Sequence, residues 1–221
     1  MDFKYAKWIW LAAIVAAIAG ADQLTKHWAT AALAEPISGV YPDPCIPDGP
    51  VQERTIMRTM RHIHVVEGYF DLRYSENCGG VFSIMQNQKE SIRRPFFYVS
   101  YSLAAILLFY LFFKIGREEK VLMIAFSVVL GGAVGNIMDR LAVGYVVDFI
   151  YWHVRDKVGW PIFNIADSGI TVGLVLILID SFFLAPKREK MRKMGNPRAS
   201  APGSNGAPGA QGPAAGPALK P

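Results

Sequence analysis

Two carboxylates stand where the chain is otherwise apolar: Asp148 in the run VVDF at 146–149, and Asp167 in FNIADS at 163–168. In and beside neighbouring apolar runs lie Asp22, Lys26, Asn136, Asp139, Arg140 and Asn164. An ionisable group at the centre of a membrane span costs about 2.5–3.5 kcal/mol on insertion scales, so such groups point to function by default. Two acids held close together cannot both ionise easily, which keeps one protonated and the other charged at neutral pH. The charged member can take a proton from a water as it attacks a carbonyl, while the protonated one donates to the developing oxyanion. The first turn of a helix favours negative charge, which assigns the base to Asp167. Taken singly, any one of these aspartates is more usually a helix cap or an interfacial group, and it is their convergence that points to function.

The elements that would position them are membrane spans. The chain of 221 residues is 52% apolar and 12% aromatic, and its mean hydropathy is positive. A crossing needs about 20 predominantly apolar residues. Four stretches meet that length, predicting an all-α membrane bundle of four transmembrane helices with a small extracytoplasmic domain containing short strands. Residues 1–34 hold the N-terminus and first span, which continues through Leu33 rather than ending as a cleaved leader at the small residues 17–21. The second span lies in 95–115, and 116–140 hold a basic turn and the third. Residues 141–160 form an outer connection carrying Asp148, and the fourth span lies in 161–185. Gly131, Gly132, Ala133 and Gly135 would let another helix approach the third span closely.

Lys4 and Lys7, then Lys114, Arg117 and Lys120, then Lys187, Arg188, Lys190, Arg192 and Lys193 fall on one side of a four-span chain. The positive-inside rule makes that side the cytoplasm, with both termini there. The net charge of +5 is thus accounted for by orientation and argues against nucleic acid as a partner. Residues 186–221, first basic and then rich in Gly, Pro and Ala, read as a disordered cytoplasmic tail.

Residues 35–94 have the composition of an ordered region outside the bilayer. Its first part, 37–60, is rich in turn residues and reads as irregular. From His62 to Met85 short β-branched and aromatic runs suggest a small sheet. Tyr69, Phe70, Tyr74 and Phe82 would rest either at the lipid interface or in that domain's core. Cys45 and Cys78 are too few for a disulfide framework, and their pairing stays open for a segment outside the cytoplasm. Neither has neighbours at metal-ligand spacing, and no metal or other cofactor is expected.

Spacing draws the polar residues together. Asn136, Asp139 and Arg140 share one face of the third span, Asn164 and Asp167 one face of the fourth, and Asp22 and Lys26 form a pair four residues apart, acid first. All reach the same outer boundary, with Asp148 beside them. Asp139 and Arg140 are expected to pair with each other, with Asn136 and Asn164 as hydrogen-bonding supports. A transporter would place carboxylates at mid-depth and on both sides, and a scaffold would not depend on either aspartate.

The motifs carry a resemblance. DQLTK at 22–26, the NxG and FS of 77–83, GGAVGNIMDR from Gly131, VVDF from Val146 and FNIADS from Phe163 occur in the order found in the lipoprotein signal peptidases, the type II signal peptidases of bacteria. The resemblance covers nearly the whole region from the first span to the fourth. It implies a membrane aspartyl protease that removes the signal peptide of a prolipoprotein before a diacylglyceryl-modified cysteine. The catalytic pair would be Asp148 and Asp167, supported by Asp22, Lys26, Asn77, Asn136, Asp139, Arg140 and Asn164. The implied partners are prolipoproteins and membrane lipids, and the implied place is the bacterial inner membrane, with a monomer active at its outer face.

Overall fold

The computed structural model describes residues 3–46, 49–79 and 90–195. The run GVFS at 80–83, the second glycine of the Gly79-Gly80 pair, and the chain after 195 lie outside them. Among the described residues, four helices are long and apolar enough to cross a membrane. They comprise α1 (Phe3–Leu33), α2 (Glu90–Lys114), α3 (Lys120–Ala142) and α4 (Ile165–Ile179), the last running through one π-helical turn, Asp180–Leu184, into α5 (Ala185–Gly195). The basic segment expected to be part of a disordered tail is helical as far as residue 195, because a run of Lys, Arg, Glu and Met has high helix propensity and grows from an existing helix end.

The region outside the bundle is more regular than expected. Residues read as irregular form an antiparallel hairpin, β1 (Ala34–Tyr41) and β2 (Gln52–Thr59), with Ile37 opposite Ile56 and Ser38 opposite Thr55. Its prolines and glycines gather at the turn or on a strand with a free edge, where a missing donor costs no ladder bond. A second, four-stranded antiparallel sheet runs in the order β3 (Ile63–Val66), β4 (Phe70–Asn77), β5 (Val146–Val154), β6 (Val158–Gly159). Asp148 therefore sits on a nine-residue strand rather than in a connection. The sequence VVDFIYWHV explains why, being almost wholly β-branched and aromatic.

Helix α1 serves both halves. Its early part packs with α2 and α3, where Leu11, Phe112, Phe126 and Leu130 form one buried cluster. Its last turns leave that cluster, and Ala29 and Leu33 join Tyr74, Val147 and Phe149 in a second core beneath the sheet. Tyr74 is thus a core residue, whereas Tyr69 is exposed. At the far end of the bundle, the Lys7 ammonium donates to the carbonyl of Phe113 at 2.9 Å, satisfying one of the orphan acceptors at the end of α2. At that end too, Arg188 holds the buried carboxylate of Asp180 through two bonds of 2.7 Å.

Helices α3 and α4 touch through backbone. A Cβ added at Gly132 would lie 2.4 Å from the carbonyl oxygen of Ala166. Replacing Gly132 by Ala is expected to force the helices apart and lower stability by roughly 1–3 kcal/mol, as overpacking does. Gly20, where an added Cβ meets nothing within 4 Å, is the control, and Gly20→Ala should be neutral or stabilising. Unfolding of both variants in detergent micelles checks the pair.

Candidate functional site

The site forms where the start of α4, the end of α3 and the middle of α1 meet the edge of the sheet. Asn164 is the cap of α4: its Oδ1 accepts from the backbone N–H of Asp167 at 2.9 Å. Its amide nitrogen points the other way and donates to Asp148 Oδ1 at 2.6 Å and to Asn136 Oδ1 at 3.1 Å. Asn136 in turn donates to Asp167 Oδ1 at 2.8 Å. The two carboxylates expected to meet are therefore bridged by two side-chain amides, one from α3 and one from the cap of α4. Asp148 is buried and Asp167 half-buried, so Asp167 is the more accessible of the two.

Asp148 has a second donor, the amide of Asn77 at the end of β4, 3.0 Å from Oδ2. Burial first, and the negative charge of Asp167 second, push the Asp148 carboxyl up to about 7, while the hydrogen bonds from Asn77 and Asn164 pull the other way. A carboxylic acid titrating there can serve as proton donor or acceptor near neutral pH.

Below the pair lies an ionic triad. Lys26 Nζ is 2.7 Å from Asp22 Oδ2 and 2.9 Å from Asp139 Oδ2, all three side chains at least nine-tenths buried. Each acid also holds backbone. Asp22 Oδ1 accepts from Ala166 N in the first turn of α4 at 2.9 Å, and Asp139 Oδ2 accepts from Val147 N at 3.0 Å, one residue before Asp148. Lys26 further donates to Asn136 Oδ1 at 3.0 Å. The triad thus fixes the start of α4 and the start of β5 from one buried cation.

Arg140 behaves differently from expectation. It does not pair with Asp139, since consecutive residues on a helix point about 100° apart. Its guanidinium donates to the carbonyl of Gly79 and lies over the rings of Phe97 and Tyr101, 4.8 and 5.5 Å from their centroids. Every site residue expected from the sequence is in this neighbourhood. Gln23 was missed: its amide donates to Asp139 Oδ1 at 2.8 Å and to Gly135 O at 3.1 Å. Its place beside Asp22, one residue off the apolar face, was the available signal.

A separate cluster occupies the sheet, where His64, Arg73 and His153 surround the carboxylate of Asp71. Burial works against its charge, but hydrogen bonds from Arg73 and His64, with the His153 ring 3.2 Å away, hold it at about 2. Asp156 completes the cluster through Arg73 at 2.8 Å. With the Arg73 guanidinium already on both carboxylates, the group reads as a lock between β4 and β5.

These features define a polytopic membrane protein whose buried polar cluster closes one end of a helical bundle beneath a small antiparallel sheet. Two solved structures, each of a bacterial membrane enzyme, share this fold. One is 25% identical with a TM-score of 0.58, covering 78% of this chain and 92% of the other, and the second is 24% identical with a TM-score of 0.54, covering 86% and 93%. Residues 14–183 match the family described as signal peptidase (SPase) II, and the chain belongs to that family. Among relatives, a lipoprotein signal peptidase of Francisella tularensis subsp. novicida is 39% identical over 122 residues, 55% of this chain and 75% of the relative. One from an Anaeromyxobacter species is 35% identical over 196 residues, 79% and 85% of the two chains. The family and the four apolar helices make this a bacterial membrane protein, and the family makes it a peptidase.

Lys26→Met removes the cation between two buried acids. Leaving one partner of a buried ion pair uncompensated costs about 3–5 kcal/mol, so this variant is expected to be the least stable of the single site substitutions. Returning the cluster to its original net charge with Asp22→Asn in the same chain should recover part of the loss, read as the midpoint of thermal unfolding in detergent.

Proposed function

We propose that this protein removes the signal peptide from diacylglyceryl-modified prolipoproteins, cutting before the lipidated cysteine, with Asp148 and Asp167 as the catalytic pair. The observation that carries this reading is the bridge Asp148–Asn164–Asn136–Asp167, with one carboxyl titrating near neutrality. Asp148, more buried and held at about 7, is the protonated member that donates to the carbonyl oxygen. Asp167, half-buried in the first turn of α4, is the charged member that takes the proton of the attacking water. As the tetrahedral intermediate collapses, the nitrogen of the leaving peptide receives a proton from the pair. Asn136 and Asn164 keep the carboxylates in register, and Lys26, Asp22 and Asp139 hold the elements that bear them.

The substrate enters along the bilayer. A prolipoprotein is anchored by its apolar signal helix and by acyl chains on the adjacent cysteine, which restricts the scissile bond to the depth of the dyad. In this reading both termini lie in the cytoplasm and the site at the outer face of the inner membrane, an orientation that the distribution of basic residues supports. Since all the polar groups come from one chain, a monomer suffices.

The test is cleavage of a lipid-modified prolipoprotein by the purified protein in detergent. Asp148→Asn and Asp167→Asn should each lower the rate by roughly 10²–10⁴-fold, as loss of a general acid or base does, and full activity in either variant refutes the assignment. For the wild type, the rate should fall as pH rises through about 7, where Asp148 loses its proton. Stability has the same sign. A carboxyl whose folded value lies above its unfolded one stabilises fully below about 4 and loses that contribution as pH rises through about 7. Asp148→Asn should therefore be inactive yet no less stable than wild type at pH 8.

A further inference from the structure

We infer that the disulfide between Cys45 and Cys78 is a positioning element of the active site, holding Asn77 against Asp148 by tying the site strand to the β1–β2 hairpin. The inference rests on the assignment of Asp148 as catalytic. Three consecutive residues carry it. Asn77 donates to Asp148 at 3.0 Å, Cys78 is joined to Cys45, and Gly79 donates its N–H to Asn77 Oδ1 at 3.0 Å while its carbonyl accepts from Arg140. The covalent link thus falls between the two residues that connect β4 to the dyad and to α3.

The hairpin end of the link is stiff. Cys45 N donates to Asp43 Oδ1 at 2.8 Å, Asp43 Oδ2 pairs with Arg54 at 2.9 Å, and Asp43 bridges to Ile46. The base of the hairpin is fixed as well, by Met60 N on Leu33 O at 2.8 Å and Thr59 Oγ1 on Tyr74 O at 3.0 Å. Between the turn end and β4, however, lies a cleft of about 270 Å³ lined by Asp43, Arg54, Glu76 and Tyr145. Among the described residues, side-chain packing does not close that gap, and the disulfide is the covalent tie across it. With the bond open, the end of β4 is held by its pairing with Val146 and by Arg140, and Asn77 gains freedom to leave Asp148.

The experiment uses the full chain in detergent with a lipid-modified prolipoprotein, before and after dithiothreitol. Reduction moves two electrons and two protons from dithiothreitol to the cystine, giving two thiols and the cyclic disulfide of the reagent, and alkylation with mass analysis counts the thiols. On reduction kcat should fall by roughly tenfold, the scale of a lost hydrogen bond to an ionisable group, with KM within about twofold. The charged groups facing Asp148 are Asp167 on α4, Lys26 on α1 and Arg140 on α3, all unaltered by reduction. Loss of the Asn77 donor should therefore move the alkaline limb of the pH profile upward, a change that simple loosening of the fold would not produce.

Asn77→Ala should reproduce both changes, and reduction should add nothing to it. Because both cysteines are buried, Cys45→Ser with Cys78→Ser provides the same state without a reagent that must reach the bond. Unchanged kcat and pH profile in the reduced enzyme or the double variant overturns the inference, as does a count of two free thiols in fully active protein. If Asp148→Asn is inactive in the same assay, that failure leaves the peptidase reading intact. Activity in Asp148→Asn would instead remove the reading itself.

Discussion

One buried ammonium organises the site. Lys26 is buried, with its side chain only 3% exposed, so it must be met by acids, and the two that meet it each hold a backbone N–H as well. Burying three charges is worthwhile only where geometry satisfies all of them. Here that satisfaction requires α1, α3, α4 and β5 to be in place at once, since Asp22 reaches α4 and Asp139 reaches β5. Asn136, also on Lys26, extends the same constraint to the carboxylate pair. The carboxylate pair proposed as the dyad is therefore held by groups outside the pair itself, the kind of preorganisation that electrostatic catalysis in a site of low dielectric would require.

Much of this was legible beforehand, and the reasons differ by element. Helical spacing is local, so the Asp22–Lys26 pair could be read directly, whereas Asn164, expected on one face of the fourth helix with Asp167, is its extended cap and meets Asp167 through the backbone N–H. Apolar runs gave the four spans because a bilayer demands length and little else. Strands were harder. Residues 37–60 looked irregular because Pro and Gly dominate their turn, and the pairing of Ile37 with Ile56 is visible only across the fold. β5 looked like a connection because burial on both faces removes the alternation that marks an exposed strand.

Side-chain direction was the other blind spot. Neighbours in sequence suggested an Asp139–Arg140 pair, yet helical geometry sends one toward Lys26 and the other toward the rings of Phe97 and Tyr101. Gln23 escaped notice for a related reason: an amide adjacent to a recognised acid looks like surface until a second helix is placed against it. Pairing of the two cysteines could not be decided from their number. It follows from a hairpin turn and a strand end being neighbours in space, 33 residues apart in the chain.

The first helix belongs to two cores. Its early turns lie in the bundle with Phe112 and Leu130, and Ala29 and Leu33 lie under the sheet with Tyr74 and Phe149. Rotating or sliding that rod to improve one core would displace the other, and would carry Asp22 away from α4. The helical half and the sheet half are therefore not interchangeable modules: grafting the sheet of one such protein onto the bundle of another would have to preserve the phase of α1 over its whole length.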